Sequence, residues 1–329
     1  MKKKIALVTG GYSGEATISY LSAETVGNNI DTEKYDVYKI DIALNGWFYI
    51  APDGNKIPVD RSDFTIPLKE GKIKFDAALM CIHGTPGEDG KLQGYFDLLH
   101  IPYTSCDAAV AALTFNKRYT VAVAAFSGVC VAKSVLLLKG RHKQPEELVK
   151  HLHFPVFVKP NNGGSSIAMS KVNAFEELGA AIEKAFGADN QVLVEECIHG
   201  REFTVGVLYH QGKYIPLPIS EIIPDTSRPF FDFEAKYQGK SQEITPAQAD
   251  KTITEKVQQT AVKVCEALNT RGVVRIDFIY NEAQGEPYML EVNTVPGQSH
   301  ASIVPQQVAA NGWALKDFYS MLLENCFDE

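Results

Sequence analysis

Two short segments near the C-terminus constrain this chain more than any other feature. Arg275-Ile-Asp-Phe-Ile279 alternates polar and apolar residues, and Leu290-Glu-Val-Asn293 alternates likewise. A period of two places every second side chain on one face of a strand. Arg275 and Asp277 therefore share a face, as do Glu291 and Asn293. The connection between the segments is short and contains Gly285, so an antiparallel hairpin is expected, with all four polar side chains on one side. The strands are otherwise strongly apolar, and burying two carboxylates without a cation is costly. Two carboxylates and an amide oxygen are hard donors that suit Mg2+ bridging nucleotide phosphates. An exposed face with ordinary cross-strand charges explains the pattern alone nearly as well; the apolar setting favours the metal.

A second group of residues fits a nucleotide. Lys159 ends the apolar run Val156–Lys159, just before Pro160 and the loop Asn161-Asn-Gly-Gly-Ser-Ser166. Glycines let backbone N–H groups approach phosphate oxygens, and a lysine adds a point charge. The lysine precedes the glycines, so this is not a P-loop. A surface turn is the plainer account of Gly-Gly-Ser-Ser by itself, as a solvated helix position is of Lys117. Val192-Leu-Val-Glu-Glu196 is an apolar strand ending in acids. Beside a nucleotide, Glu195, Glu196 and the later Glu202 could accept from adenine or ribose; elsewhere they are solubilising caps. His83 follows the run Ala77–Ile82, where a lone histidine is more often structural. Glu15 suits an early helix position beside the dipole.

The continuous apolar run Ala77–Ile82 is typical of a parallel strand covered on both faces. With the strand Ile5–Val8, a helix near 16–29, the strand Tyr35–Ile42, a small hairpin around Asp53-Gly54 and a helix from Leu92, it predicts an open parallel α/β domain over residues 1–106. A helix near 108–126, strands at 131–138, 156–159 and 192–195, and helices from Pro145 and over 174–186 predict an α+β unit over 107–195. Residues 196–329 are strand-rich, with strands at 203–209 and 215–223, a helix near 253–268, the hairpin above and a final helix from Trp313. Within them, about 224–245 has no clear period; a stretch of that length in a compact domain is usually functional or disordered.

Formal net charge is −8 and the pI about 5.6, which argues against a nucleic-acid partner, since such a partner needs a basic face. The six cysteines are far apart with no C-x-x-C pair, as expected of free thiols in a reducing compartment. The apolar run after Lys2-Lys3-Lys4 stops at Thr9-Gly10-Gly11, too short for a signal peptide. No stretch approaches the ~20 apolar residues of a membrane span. A cytoplasmic protein without a membrane partner is expected.

Taken in order, the segments resemble the D-alanine–D-alanine ligases of the ATP-grasp superfamily over essentially the whole chain. His83-Gly-Thr-Pro-Gly-Glu-Asp-Gly-Lys-Leu-Gln-Gly94 is similar to that family's N-terminal signature. Arg275-Ile-Asp-Phe278 and Glu291-Val-Asn-Thr-Val-Pro-Gly297 are similar to its C-terminal one. Glu234-Ala-Lys-Tyr237 resembles the motif of members that take D-alanine as second substrate, and Gly10-Gly-Tyr-Ser-Gly-Glu15 and Val158-Lys-Pro-x-x-x-Gly-Ser-Ser166 also fit.

The resemblance implies a three-domain ATP-grasp fold, the substrates ATP and two molecules of D-alanine, two Mg2+ (or Mn2+) ions, and a homodimer. Lys117 and Lys159 would hold phosphates. Glu195, Glu196, Ile198 and Glu202 would hold adenine and ribose, with Phe230 packing nearby. Asp277, Glu291 and Asn293 would hold the metal ions. Glu15 would take the first ammonium, with His83 and Lys236 also on the substrates, and Ser302 would take the second carboxylate. Glu15, Ser165 and Tyr237 would form a hydrogen-bonded network under a lid near 224–245, while Arg275 and the Gly297 N–H would stabilise the reacting centre. The chain departs from the common pattern at Asn162-Gly163, Ala168, Cys197 and Gln298-Ser-His-Ala301. Three rivals remain at this level. A ligase forming D-Ala-D-Lac or D-Ala-D-Ser has Glu234-Ala-Lys-Tyr237 against its D-lactate form. A non-catalytic ATP-binding module has the acidic ligands and Arg275 against it. A nicotinamide dehydrogenase has against it that Gly10-Gly-Tyr-Ser-Gly14 is G-G-x-x-G rather than G-x-G-x-x-G.

Overall fold

The computed structural model describes residues 2–69, 71–141, 147, 149–164, 167–224 and 241–327. Ser165, Phe230, Lys236, Tyr237 and nearly all of the expected lid lie outside these residues.

The N-terminal sheet runs Lys56–Pro58, Gly46–Ile50, Tyr35–Ala43, Lys3–Gly10, Ala77–Met80. Its last three strands are parallel, with Ile5 in register with both Val37 and Ala77. The other two form the expected hairpin, antiparallel at the edge. The run Ala77–Met80 is buried throughout, as a strand covered on both faces must be. The helix Ala16–Asn29 buries Ser19, Ser22, Ala23 and Val26, a helical stripe that includes two hydroxyls.

A second sheet is antiparallel throughout, in the order Ser170–Val172, Val156–Pro160, Gln191–Glu196, Ser134–Leu138. The helix Leu178–Phe186 covers it, with Ile182, Ala185 and Phe186 packed on Val158 and Val192. A seven-stranded sheet follows the path Ser241–Ile244, Ser220–Pro224, Arg201–His210, Val273–Asn281, Glu286–Asn293, Cys130–Val131, with Lys213–Pro216 also paired to Arg201–His210. The helix Lys251–Leu268 lays Val257, Ala261, Val264 and Leu268 on one of its faces. The helices Ile303–Ala310 and Leu315–Glu324 share a core with the N-terminal sheet, joining it to the seven-stranded one through Leu208, Leu217 and Val273.

Several expected elements are divided. The helix expected over 108–126 is two helices, Ala108–Phe115 and Lys117–Phe126. Asn116 between them has an extended backbone, and its side chain accepts from Tyr119 N–H as the cap of the second. The strand expected over 131–138 is two strands in different sheets, and the one expected over 215–223 is also two. The final helix begins at Leu315 rather than Trp313, and the helix Ile303–Ala310 was not expected. Both helices between 108 and 126 pack on the seven-stranded sheet, where Val110, Val121 and Ala124 join its core. Among the described residues no helix is long and apolar enough to cross a membrane.

Candidate active site

The hairpin forms as its alternation dictates. Asp277 lies opposite Glu291 and Arg275 opposite Asn293. Register then shifts between Asp277 and Phe278, so that Phe278 faces Met289 and Leu290 is the extra residue of a β-bulge. Met289 and Val292 stay buried, while Leu290 and Glu291 both line the cleft. The bulge thus sets an apolar side chain beside the acid on one face, where simple alternation would separate them.

Asp277 is the most engaged of the group. Arg275 donates to both its oxygens, Nε to Oδ1 at 2.9 Å and Nη2 to Oδ2 at 2.8 Å. Thr204, from the neighbouring strand, donates to Oδ1 at 2.5 Å, and Asn293 Nδ2 is 3.4 Å from Oδ2. Lys117 Nζ lies 4.0 Å from Glu291 and donates to the Gly163 carbonyl at 2.5 Å. Among the described residues no group of three His, Cys, Asp or Glu side chains converges as a metal site. The candidate donors are two carboxylates and one amide, all oxygen, a set that would fit a hard cation.

Two cavities meet at this face. The larger, about 610 Å3, lies between the antiparallel sheet and the hairpin. Phe157, Met169, Ile198, Ile279 and Leu290 supply apolar walls, and Lys159, Glu195 and Glu196 polar ones. Lys159 and Glu195 are buried on neighbouring strands and bond at 2.5 Å. Glu196 accepts from His153 N–H at 3.0 Å. The smaller cavity, about 350 Å3, holds His83, Glu88, Thr204, Glu243, Gly297 and Ser302. Glu15, Lys117, Glu202, Asp277 and Glu291 border both. An apolar slot with a few polar groups fits a purine, and an acidic and cationic junction fits the reacting phosphate.

Glu15 closes the junction from above. A Cβ placed on Gly164 would stand 2.9 Å from its Oε1, and one on Gly84 2.7 Å from its Oε2. The carboxylate therefore sits between the two glycine loops, and a side chain at either glycine would push it aside. Ser302 precedes the helix Ile303–Ala310 but makes no side-chain capping bond. Its Oγ lies 2.7 Å from Ser299 Oγ, and 2.7 Å from where a Gly297 Cβ would stand. That turns the hydroxyl toward the cavity instead of its own helix.

Residues without a role at the level of sequence also converge here. Glu88 accepts from Gly84 N–H at 2.7 Å and faces Val295 N–H at 3.4 Å. Burial first, and then the Glu15 carboxylate, push its own carboxyl up to about 8. Burial also pulls His83 down to about 4, with Arg275 acting in the same sense and the Val295 backbone against it. Glu88 sits inside the signature 83–94, but a carboxylate in a turn-rich loop looks solvated until its burial is seen. Thr204 and Glu243 carry no signal beyond their places in strands.

Family models describe both halves of the chain. The N-terminus of the D-ala D-ala ligases matches residues 4–106, and their C-terminus residues 116–324. A D-alanine–D-alanine ligase of Flavobacterium johnsoniae is 44% identical over 322 residues, 98% of each chain. One from Christiangramia forsetii is 42% identical over 329 residues, the whole of both. Among solved structures, the VanG D-Ala:D-Ser ligase of Enterococcus faecalis superposes with a TM-score of 0.89 at 33% identity, covering 98% of this chain and 99% of that one. D-alanyl-alanine synthetase A of Vibrio cholerae gives 0.87 at 28%, over 100% and 99%.

Proposed function

The chain belongs to the D-alanine–D-alanine ligase family, and from that premise we propose how its own residues perform the ligation. The fold is ATP-grasp and the enzyme an ATP-dependent D-alanine–D-alanine ligase: it forms D-alanyl-D-alanine through a D-alanyl phosphate, for cell-wall precursor synthesis. The observation that supports these residue roles is the junction of the two cavities, where Glu15, Lys117, Asp277 and Glu291 meet.

ATP would lie in the larger cavity, its purine against Ile279 and Leu290 and its polar edge toward Glu195, Glu196 and Ile198, with Glu202 on the ribose and Phe230 nearby. Lys117 and Lys159 would hold phosphates. Asp277, Glu291 and Asn293 would hold two Mg2+ or Mn2+ ions, which supply charge neutralisation on the transferring phosphoryl group. The first D-alanine would place its ammonium on Glu15 and its carboxylate toward the γ-phosphate. The carboxylate oxygen bonds to phosphorus as the bond to ADP breaks, and Arg275 faces the charge that spreads over the phosphoryl oxygens. The second D-alanine would set its carboxylate on Ser302, with Lys236 assisting. Its neutral amine attacks the acyl carbon, the Gly297 N–H and Arg275 face the oxyanion, and inorganic phosphate leaves as the nitrogen gives up its surplus proton to a phosphate oxygen or to Tyr237. Glu15, Ser165 and Tyr237 would close the site beneath the segment 224–245, because an acyl phosphate survives only where water is excluded. We assign residues 1–106 to a substrate-side unit and 196–329 to the metal-side unit. Helices 108–126 go by packing with the latter, and the rest of 107–195 forms the nucleotide cover. A homodimer in the cytoplasm completes the reading.

A D-serine acceptor is the second reading, carried by the likeness to VanG. One experiment separates them: phosphate release with ATP and Mg2+, D-alanine as donor, and D-alanine, D-serine or D-lactate as acceptor. D-Alanine alone should support full turnover. A rate that rises only when D-serine is added would replace the first reading with the second.

A further inference from the structure

Ser22 is fully buried on the inward face of the helix Ala16–Asn29, and no role above uses it. Its hydroxyl oxygen accepts a hydrogen bond from Gln298 N–H at 3.0 Å and lies 3.0 Å from His83 Nε2. A serine hydroxyl has one proton to give. Were His83 to donate from Nε2, Ser22 would accept twice and its own proton would be buried with no acceptor, the costly arrangement. The hydroxyl therefore donates, and Nε2 accepts. A neutral imidazole that accepts at Nε2 carries its proton on Nδ1, and burial keeps this ring neutral.

We propose that Ser22 is a positioning residue for the ligation step, holding the segment Val295–Gln298 directly at the Gln298 N–H and tying it, through the same hydroxyl, to the His83 ring. Gly297 directly precedes Gln298, its N–H faces the oxyanion in the proposed mechanism, and the inference rests on that reading. Other bonds confirm that the segment is held and not merely covered. Val295 N–H faces Glu88, Gln298 Nε2 donates to the Pro296 carbonyl at 3.2 Å, and Tyr319 donates to Gln298 Oε1 at 3.3 Å. Glu15 stands at the start of the helix that carries Ser22. One rigid element thus sets the distance between the ammonium site of the first substrate and the N–H that receives the oxyanion. His83 becomes a strut rather than a substrate ligand or proton carrier.

The first measurement needs no active enzyme. Nitrogen-15 spectra of the histidine rings, with His83 identified by its loss in His83→Gln, should show a neutral Nδ1–H ring throughout about pH 5 to 8. An Nε2–H ring, or one titrating near the ordinary value of about 6.5, overturns the proposal. The second measurement is kinetic. Ser22→Ala should lower kcat for dipeptide formation about ten-fold or more, as for a displaced oxyanion donor, with KM for ATP within about two-fold. Ser22→Cys, which keeps a weak donor, should recover part of the loss. Wild-type kcat in Ser22→Ala, or a loss shared equally by the KM for ATP, overturns it. If even the wild-type chain makes no dipeptide, the D-alanine reading falls, while the ring spectrum still decides the Ser22–His83 bond.

Discussion

Glu88 has the least ordinary charge state among the acids of the site. Its carboxyl is half-buried at the wall of the smaller cavity, and burial, then the Glu15 charge, raise it from 4.5 to about 8. A carboxyl raised on folding binds its proton more tightly in the native state. Its contribution to stability is therefore complete below about 4.5 and is lost as pH rises toward about 8, by up to about 1.4 kcal/mol for each unit crossed. Glu88→Gln cannot ionise and should show a flatter profile. Thermal unfolding of both proteins from pH 5 to pH 8 measures this, and parallel profiles would mean that the wild-type carboxyl does not titrate in that window. Glu88, Ser22 and Thr204 illustrate what a sequence conceals at this scale. Each has an unremarkable local pattern, and each acquires its role from a partner far along the chain, Thr204 from Asp277 and Ser22 from Gln298.

At the scale of elements, the hairpin 273–293 was legible because alternation acts within a few residues, while its bulge at Leu290 was not, because a bulge depends on the partner strand. The break at Asn116 was missed for a related reason. No glycine or proline interrupts Ala108–Phe126, and an asparagine that caps looks like one that is merely exposed. Asn116 caps the helix that begins with Lys117, and the Asn161 carbonyl and side chain accept from Lys117 N–H and Arg118 N–H. The cap and the glycine-loop region thus fix where the lysine starts. Asn116→Ala should cost about 1 kcal/mol of stability and raise the KM for ATP, checked by urea unfolding and steady-state kinetics. An unchanged KM would separate the cap from the nucleotide. The proposed lid leaves from strand Ser220–Pro224 and returns in Ser241–Ile244, which pair with Pro224 opposite Ser241. Its two ends are therefore anchored side by side above the smaller cavity, which Ile222 and Glu243 line. Tyr237→Phe removes the hydroxyl proposed to join Glu15 and Ser165. The variant should shift turnover toward D-lactate as acceptor, and an unchanged ratio of D-alanine to D-lactate products would remove Tyr237 from the network.

For the whole molecule, the decisive fact is that the cavity proposed for the nucleotide belongs to no single sheet. Lys159 and Glu195 come from the four-stranded sheet, Asp277 and Glu291 from the seven-stranded one, and Lys117 from a helix packed on the latter. A ligand that bridges these parts stabilises the folded assembly by mass action: at a free concentration about 100 times its Kd, the gain is about 2.7 kcal/mol. Adding ADP with Mg2+ should therefore raise the unfolding temperature of the chain. The two acids of the proposed metal face make the effect depend on the metal, since Asp277 and Glu291 repel bare phosphate and would hold it through a cation. Chelating Mg2+ should remove most of the gain, and Glu291→Gln should reduce it in the presence of Mg2+ while losing at least about 100-fold in phosphate release. Were ADP to stabilise the chain equally with and without Mg2+, and equally in Glu291→Gln, the acidic face would be a structural ion-pair network around Arg275 rather than a metal site.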